Sequence, residues 1–128
     1  MASADNFAIE QGKADKAIEW MNLYAKKSNK KFEAKLQGYQ LSTIKFGSFE
    51  VISWKGDWSY ARNVLLKASS KLKIKVLEAG YREKGNLLSS FFGASSEFAK
   101  VYRSGILIGQ LELELKSGKW VAKSEKSG

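Results

Sequence analysis

Cysteine, histidine and proline are absent from the 128 residues. Without cysteine there is no disulfide framework and no thiol nucleophile, and nothing marks an oxidising compartment. Without histidine the commonest general base is missing, and a Cys/His metal centre is excluded outright. No apolar run approaches the roughly 18 residues that a membrane span needs. The opening MASADNFAIEQGK has no basic segment followed by an apolar one, so it does not read as a secretory signal. These absences lead to the expectation of a cytoplasmic protein with no membrane span, no cofactor and no metal.

Acids are also scarce, at 13 against 22 lysines and arginines, for a net charge of +9. The imbalance is local. Residues 26–75 hold twelve basic side chains against Glu33, Glu50 and Asp57, and the rest of the chain is neutral. Such asymmetry points to a polyanionic partner, or more plainly to a solubilising lysine face. Lysine outnumbers arginine, which is the better fork for phosphate.

Hydrophobic residues make up 44% and aromatics 12%, enough for a core in one domain, 1–128, with residues 124–128 expected to fray. Phe7, Ala14, Ile18, Met21 and Ala25 recur at helical spacing, so residues 4–27 read as a helix, or as one beginning near Lys13 if Gly12 is kept out of it. FEAKL, YQLSTIKF and SFEVISW alternate as strands, broken at Gly38 and at Gly47-Ser48. Asp57 is placed to cap a second helix over 58–69, with Ala61, Val64, Leu65 and Ala68 inward. KLKIKVL (71–77) reads as a strand with Leu72, Ile74 and Val76 on one face and Lys71, Lys73 and Lys75 about 7 Å apart on the other. EAGYREKGN reads as a loop. EFAKVYR, ILIGQLELEL and KWVAKSE complete a meander, turning at Ser104-Gly105 and Ser117-Gly118. The expected fold is α+β, in the order α-β-β-β-α-β-β-β-β. It has a mostly antiparallel sheet of five to seven strands and two main helices on one face.

Two stretches could carry function. SWKGDWSYAR (53–62) sets Trp54, Trp58 and Tyr60 among Lys55 and Arg62, the ingredients of a stacking platform for nucleic acid. Core packing is the commoner fate for Trp54, and both readings stay open for Trp58 and Tyr60. NLLSSFFGASS places Leu87, Leu88, Phe91 and Phe92 on one face of a short helix. That face either completes the core or offers a patch for a partner.

The α-β-β-β-α order from Ala17 to Leu72 resembles that of double-stranded-RNA-binding domains, and AIEWMNLYAKKSNKKFEAKL is similar to their first helix and strand. Their Gly-Pro-x-His loop has no counterpart here, and where they carry a lysine cluster this chain has SYARN. The restriction-endonuclease-like nucleases share the order too. Here Glu33-x-Lys35 falls on the first strand, the second strand has no acid, and the third offers only Glu50 and Lys55 at the wrong spacing. No P-loop appears either. The sequence therefore suggests a non-catalytic nucleic-acid-binding module. DNA or RNA phosphates would meet Lys27, Lys30, Lys31, Lys55, Arg62, Lys71, Lys73 and Lys75, with Trp58 and Tyr60 stacking. The alternative is an interaction or assembly component, binding an acidic protein or itself through the Leu87/Leu88/Phe91/Phe92 patch or a sheet edge.

Overall fold

A computed structural model describes residues 7–28, 31–81, 97–117 and 119–127. In chain order these form β1 (Phe7–Glu10), α1 (Ala14–Lys27), β2 (Glu33–Thr43), β3 (Gly47–Lys55), α2 (Trp58–Leu72), β4 (Lys75–Tyr81), β5 (Glu97–Arg103), β6 (Ile106–Lys116) and β7 (Lys119–Ser127). The strands make one seven-stranded antiparallel sheet in the order β2-β3-β1-β4-β5-β6-β7. The α+β class, the antiparallel sheet and the two helices on one face are as the sequence led one to expect. Residues 7–81 interlock two split β-α-β units, the ferredoxin-like arrangement, and β5–β7 extend its β4 edge.

The sheet is curled and buries a core on each face. The helices cover the outer face of β1–β4. Ala17, Met21 and Ala25 of α1 and Ala61, Val64, Leu65 and Ala68 of α2 meet Phe7, Ile9, Ile52 and Val76. The inner face folds on itself around Phe49, Val51, Leu77, Val101, Leu111, Leu113 and Trp120. A strand buried on both sides loses its polar alternation. This is why SFEVISW shows no clean phase: Phe49 and Val51 face inward, while Ile52 faces the helices.

The same burial accounts for β1. Phe7, Ala8 and Ile9 are all buried between β3 and β4, so these residues are a central strand and not the start of a helix. Gly12, at φ 89, makes the turn, and α1 starts at Ala14. Gly38 does not end a strand. It sits at φ 111 in a bulge of β2, between Leu36 paired with Ile52 and Gln40 paired with Glu50. Bulges bend strands. FEAKL and YQLST are thus one bent strand, two strands lie between the helices, and the resemblance to double-stranded-RNA-binding domains stops at the sequence.

Three further expectations change. The β2–β3 turn is Ile44–Phe46, with Gly47 at φ 95 opening β3 opposite Thr43. Glu78–Tyr81, read as a loop, belong to β4. Residues 124–127, expected to fray, continue β7 against Gly109–Glu112 of β6. That end is tied down: both Glu125 carboxylate oxygens accept backbone N–H bonds from the β2–β3 turn, from Ile44 at 2.9 Å and from Lys45 at 2.7 Å. The curl closes there through this carboxylate, where the first and last strands of the sheet meet.

Candidate nucleic-acid interface and an adjoining cleft

Antiparallel pairing decides which lysines share an end of the sheet. At one end, α1 finishes with Lys26 and Lys27, β2 begins with Glu33 and Lys35, and β3 finishes with Lys55 opposite Glu33. Cations are favoured at a helix C-terminus, where Lys26 and Lys27 sit. The Asn22 side chain ties α1 to β2, donating to the Ala34 carbonyl at 3.0 Å and accepting from its N–H at 2.8 Å. Gly56, at φ 118, lies so close to Lys31 that a Cβ there would stand 3.1 Å from the Lys31 carbonyl oxygen. Lys26, Lys27, Lys31, Lys35 and Lys55 are exposed. Among the described acids beside these lysines, Glu33 stands 3.7 Å from Lys55, and the Asp57 carboxylate caps α2 at the Tyr60 N–H, 3.0 Å away.

The KLKIKVL lysines do not join this group, nor do they form a strand row. Lys71 is in the last turn of α2, Lys73 is its left-handed cap, and only Lys75 lies in β4. Alternation in the sequence came from a helix end, a cap and a strand start read as one. Lys75 donates its ammonium to the Phe46 carbonyl beside Gly47. Gly47 and Lys55 bound the nine residues of β3, so the two lysine groups stand about 26 Å apart at roughly 3.3 Å per step. Lys30 and the patch of Leu87, Leu88, Phe91 and Phe92 lie outside the described residues.

The aromatic rings fold back. Trp54 stacks on Phe7 at 5.3 Å between centroids, Trp58 tilts against the same ring at 6.2 Å, and Tyr60 meets Phe32 edge-on at 5.8 Å. All three are half-buried at the rim of the helix-side core.

Beside Trp58 a cleft of about 380 Å³ opens between α2 and the outer face of β4–β6. It is lined by Trp58, Ser59, Arg62 and Asn63 from the helix and by Glu78, Phe98, Lys100 and Gln110 from the strands. Glu78, Lys100 and Gln110 are successive register partners across the sheet. Arg62, expected to hold phosphate, donates from Nε to the buried Glu78 carboxylate at 2.6 Å. The Tyr102 hydroxyl donates to the other Glu78 oxygen at 3.3 Å. Burial alone would lower the Arg62 pKa, and the hydrogen bond and charge of Glu78 outweigh it, leaving it raised. Burial, joined by the Glu78 charge, raises the Tyr102 phenol against the opposing pull of Arg62. The sequence hid this triad because its members come from a helix, a stretch read as loop, and a strand. Only the tertiary fold brings them together.

Among the described residues no group of acids is placed to hold a metal ion, and no helix is long and apolar enough to cross a membrane. No protein-family model, curated protein or solved structure matches the chain.

Proposed function

We propose that this chain is a non-catalytic nucleic-acid-binding module that grips phosphates with the end of the sheet bearing Lys27, Lys31 and Lys55. One observation carries the reading. Five exposed lysines from α1, β2, β3 and the segment before β2 converge there, and of the described acids beside them Glu33 pairs with Lys55 and Asp57 is committed to a helix cap. The inner face of the sheet is filled by its own core, which leaves no room for a polymer there. Lys71, Lys73 and Lys75 stand at the far end and fall outside this surface. Trp58 and Tyr60 supply the apolar border of the basic end.

The test is fluorescence anisotropy of labelled single- and double-stranded DNA and RNA 20-mers at about 50 mM salt, where phosphate contacts are strong. Exchanging Lys27, Lys31 and Lys55 together for glutamate should remove binding, while the same exchange at Lys45, Lys71 and Lys73 should leave most of it. No association with any of the four polymers, or equal losses from the two exchanges, would overturn the proposal.

A further inference from the structure

The cleft beside Trp58 is built differently from the basic end. We infer that it is a nucleotide pocket: a site for one planar heterocycle bearing an anionic group, supplied either as a free mononucleotide or as one unit of a single strand. The second source rests on the nucleic-acid reading above; the first does not.

Size, walls and charge all point the same way. A volume of about 380 Å³ suits a ligand of mononucleotide size, within the usual range for small-molecule sites. Trp58 and Phe98 supply flat apolar surface on opposite flanks, one from the helix and one from the sheet. Trp58 is braced from behind by Phe7, and Phe98 is 62% exposed, so its ring face is open to a ligand. Ser59, Asn63 and Gln110 offer both donors and acceptors, which the edge of a nucleobase requires. The floor is fixed in advance. Glu78 is buried and its two oxygens are taken by Arg62 and Tyr102, so the guanidinium is held in place while its Nη1 donors are committed to neither partner. Arg62 and Glu78 cancel in charge. Among the described lining residues Lys100 then leaves one net positive charge, which favours an anion and disfavours a cation. Trp58 directly follows the Asp57 cap and Lys55 lies three residues before it, so the basic end and the cleft adjoin at the start of α2.

The experiment is a ¹⁵N-edited titration of the whole chain with the four ribonucleoside monophosphates, their parent nucleosides and a single-stranded tetranucleotide. It follows the Trp58 indole and the Asn63 and Gln110 amides. At least one phosphorylated ligand should shift these signals saturably. Saturation by a monophosphate identifies a free ligand, saturation by the tetranucleotide alone identifies a unit of a strand, and either supports the inference. Lys100→Ala should weaken the phosphorylated ligand about tenfold and leave the nucleoside unchanged, as expected for one charged hydrogen bond. Gln110→Trp, on an exposed strand position, should fill the cleft and abolish binding while the remaining spectrum reports an intact fold. Absence of saturable shifts with every ligand would overturn the inference, as would binding that neither substitution alters. Failure here is separable from failure of the basic end. Long polymers that bind while neither a monophosphate nor the tetranucleotide moves these signals sink the pocket alone. A monophosphate that still binds, in a protein whose polymer affinity ignores Lys27, Lys31 and Lys55, sinks the module alone.

Discussion

Arg62, Glu78 and Tyr102 show how one buried carboxylate fixes its neighbours. Glu78 is 6% exposed, so removing Arg62 strands a charge in the sheet–helix interface. Breaking a buried pair from one side costs about 3–5 kcal/mol, and the low end applies because a third of the Arg62 side chain reaches solvent. Arg62→Met should therefore lower stability by about 3 kcal/mol in urea melts, and adding Glu78→Met should recover much of the loss. A double variant less stable than the single one would contradict this account. Tyr102 gives a pH signature. Its phenol is raised above the 10.0 of the unfolded chain. Between that value and its native pKa, the unfolded state has lost the proton and the native state keeps it. The contribution is thus full below 10.0 and is lost as pH climbs through the native pKa. Melts from about pH 8 to about pH 11 should fall more gently for Tyr102→Phe than for the parent, and parallel declines would refute the assignment.

The caps and turns explain which elements could be read from the chain and which could not. The buried stripe of α2, its Asp57 cap and the Ser104-Gly105 turn are local signals, and each is where the sequence places it. β1 escaped because its evidence is tertiary: three consecutive apolar residues are a strand only if both faces are covered. Lys73 escaped because it stands between Leu72 and Ile74 and so mimics strand alternation, whereas its φ of 55 and ψ of 53 make it a helix terminator. A residue with a Cβ pays for that conformation, so Lys73→Gly should raise stability by about 0.5–1 kcal/mol. A loss of stability instead would mean that the Lys73 side chain makes contacts worth more than the strain. Gly109 works at the closure of the curl. A Cβ there would fall 2.3 Å from the Phe46 ring and 2.7 Å from the Lys126 carbonyl. Since Phe46 is buried and the second obstacle is backbone, Gly109→Ala should cost about 2–3 kcal/mol, as overpacked cores do. Pairing it with Phe46→Leu should lower the added cost, because the ring is the nearer obstacle.

At the scale of the molecule the question is whether the cationic middle of the chain acts as one field or two. Counting residues along the sequence suggests one block; the sheet splits it, because β3 runs from the Lys75 end to the Lys55 end. Over about 26 Å the two groups lie beyond the ~10 Å screening length of ordinary buffers and act separately. The candidate site was therefore legible as chemistry, in lysine count and aromatic content, and illegible as geometry, because strand direction assigns each lysine to an end. Salt dependence can tell the cases apart. Each phosphate neutralised on a single strand adds roughly −0.7 to the slope of log K against log salt. A grip by the Lys27, Lys31 and Lys55 end alone predicts a slope of about −2 for three lysines to about −3.5 for all five there, falling in magnitude by roughly 2 when those three become alanine. Alanine at Lys45, Lys71 and Lys73 should leave the slope in place. A parent slope twice as steep, shared equally between the two sets, would show instead that one polymer wraps from end to end and that the split field acts as a single surface.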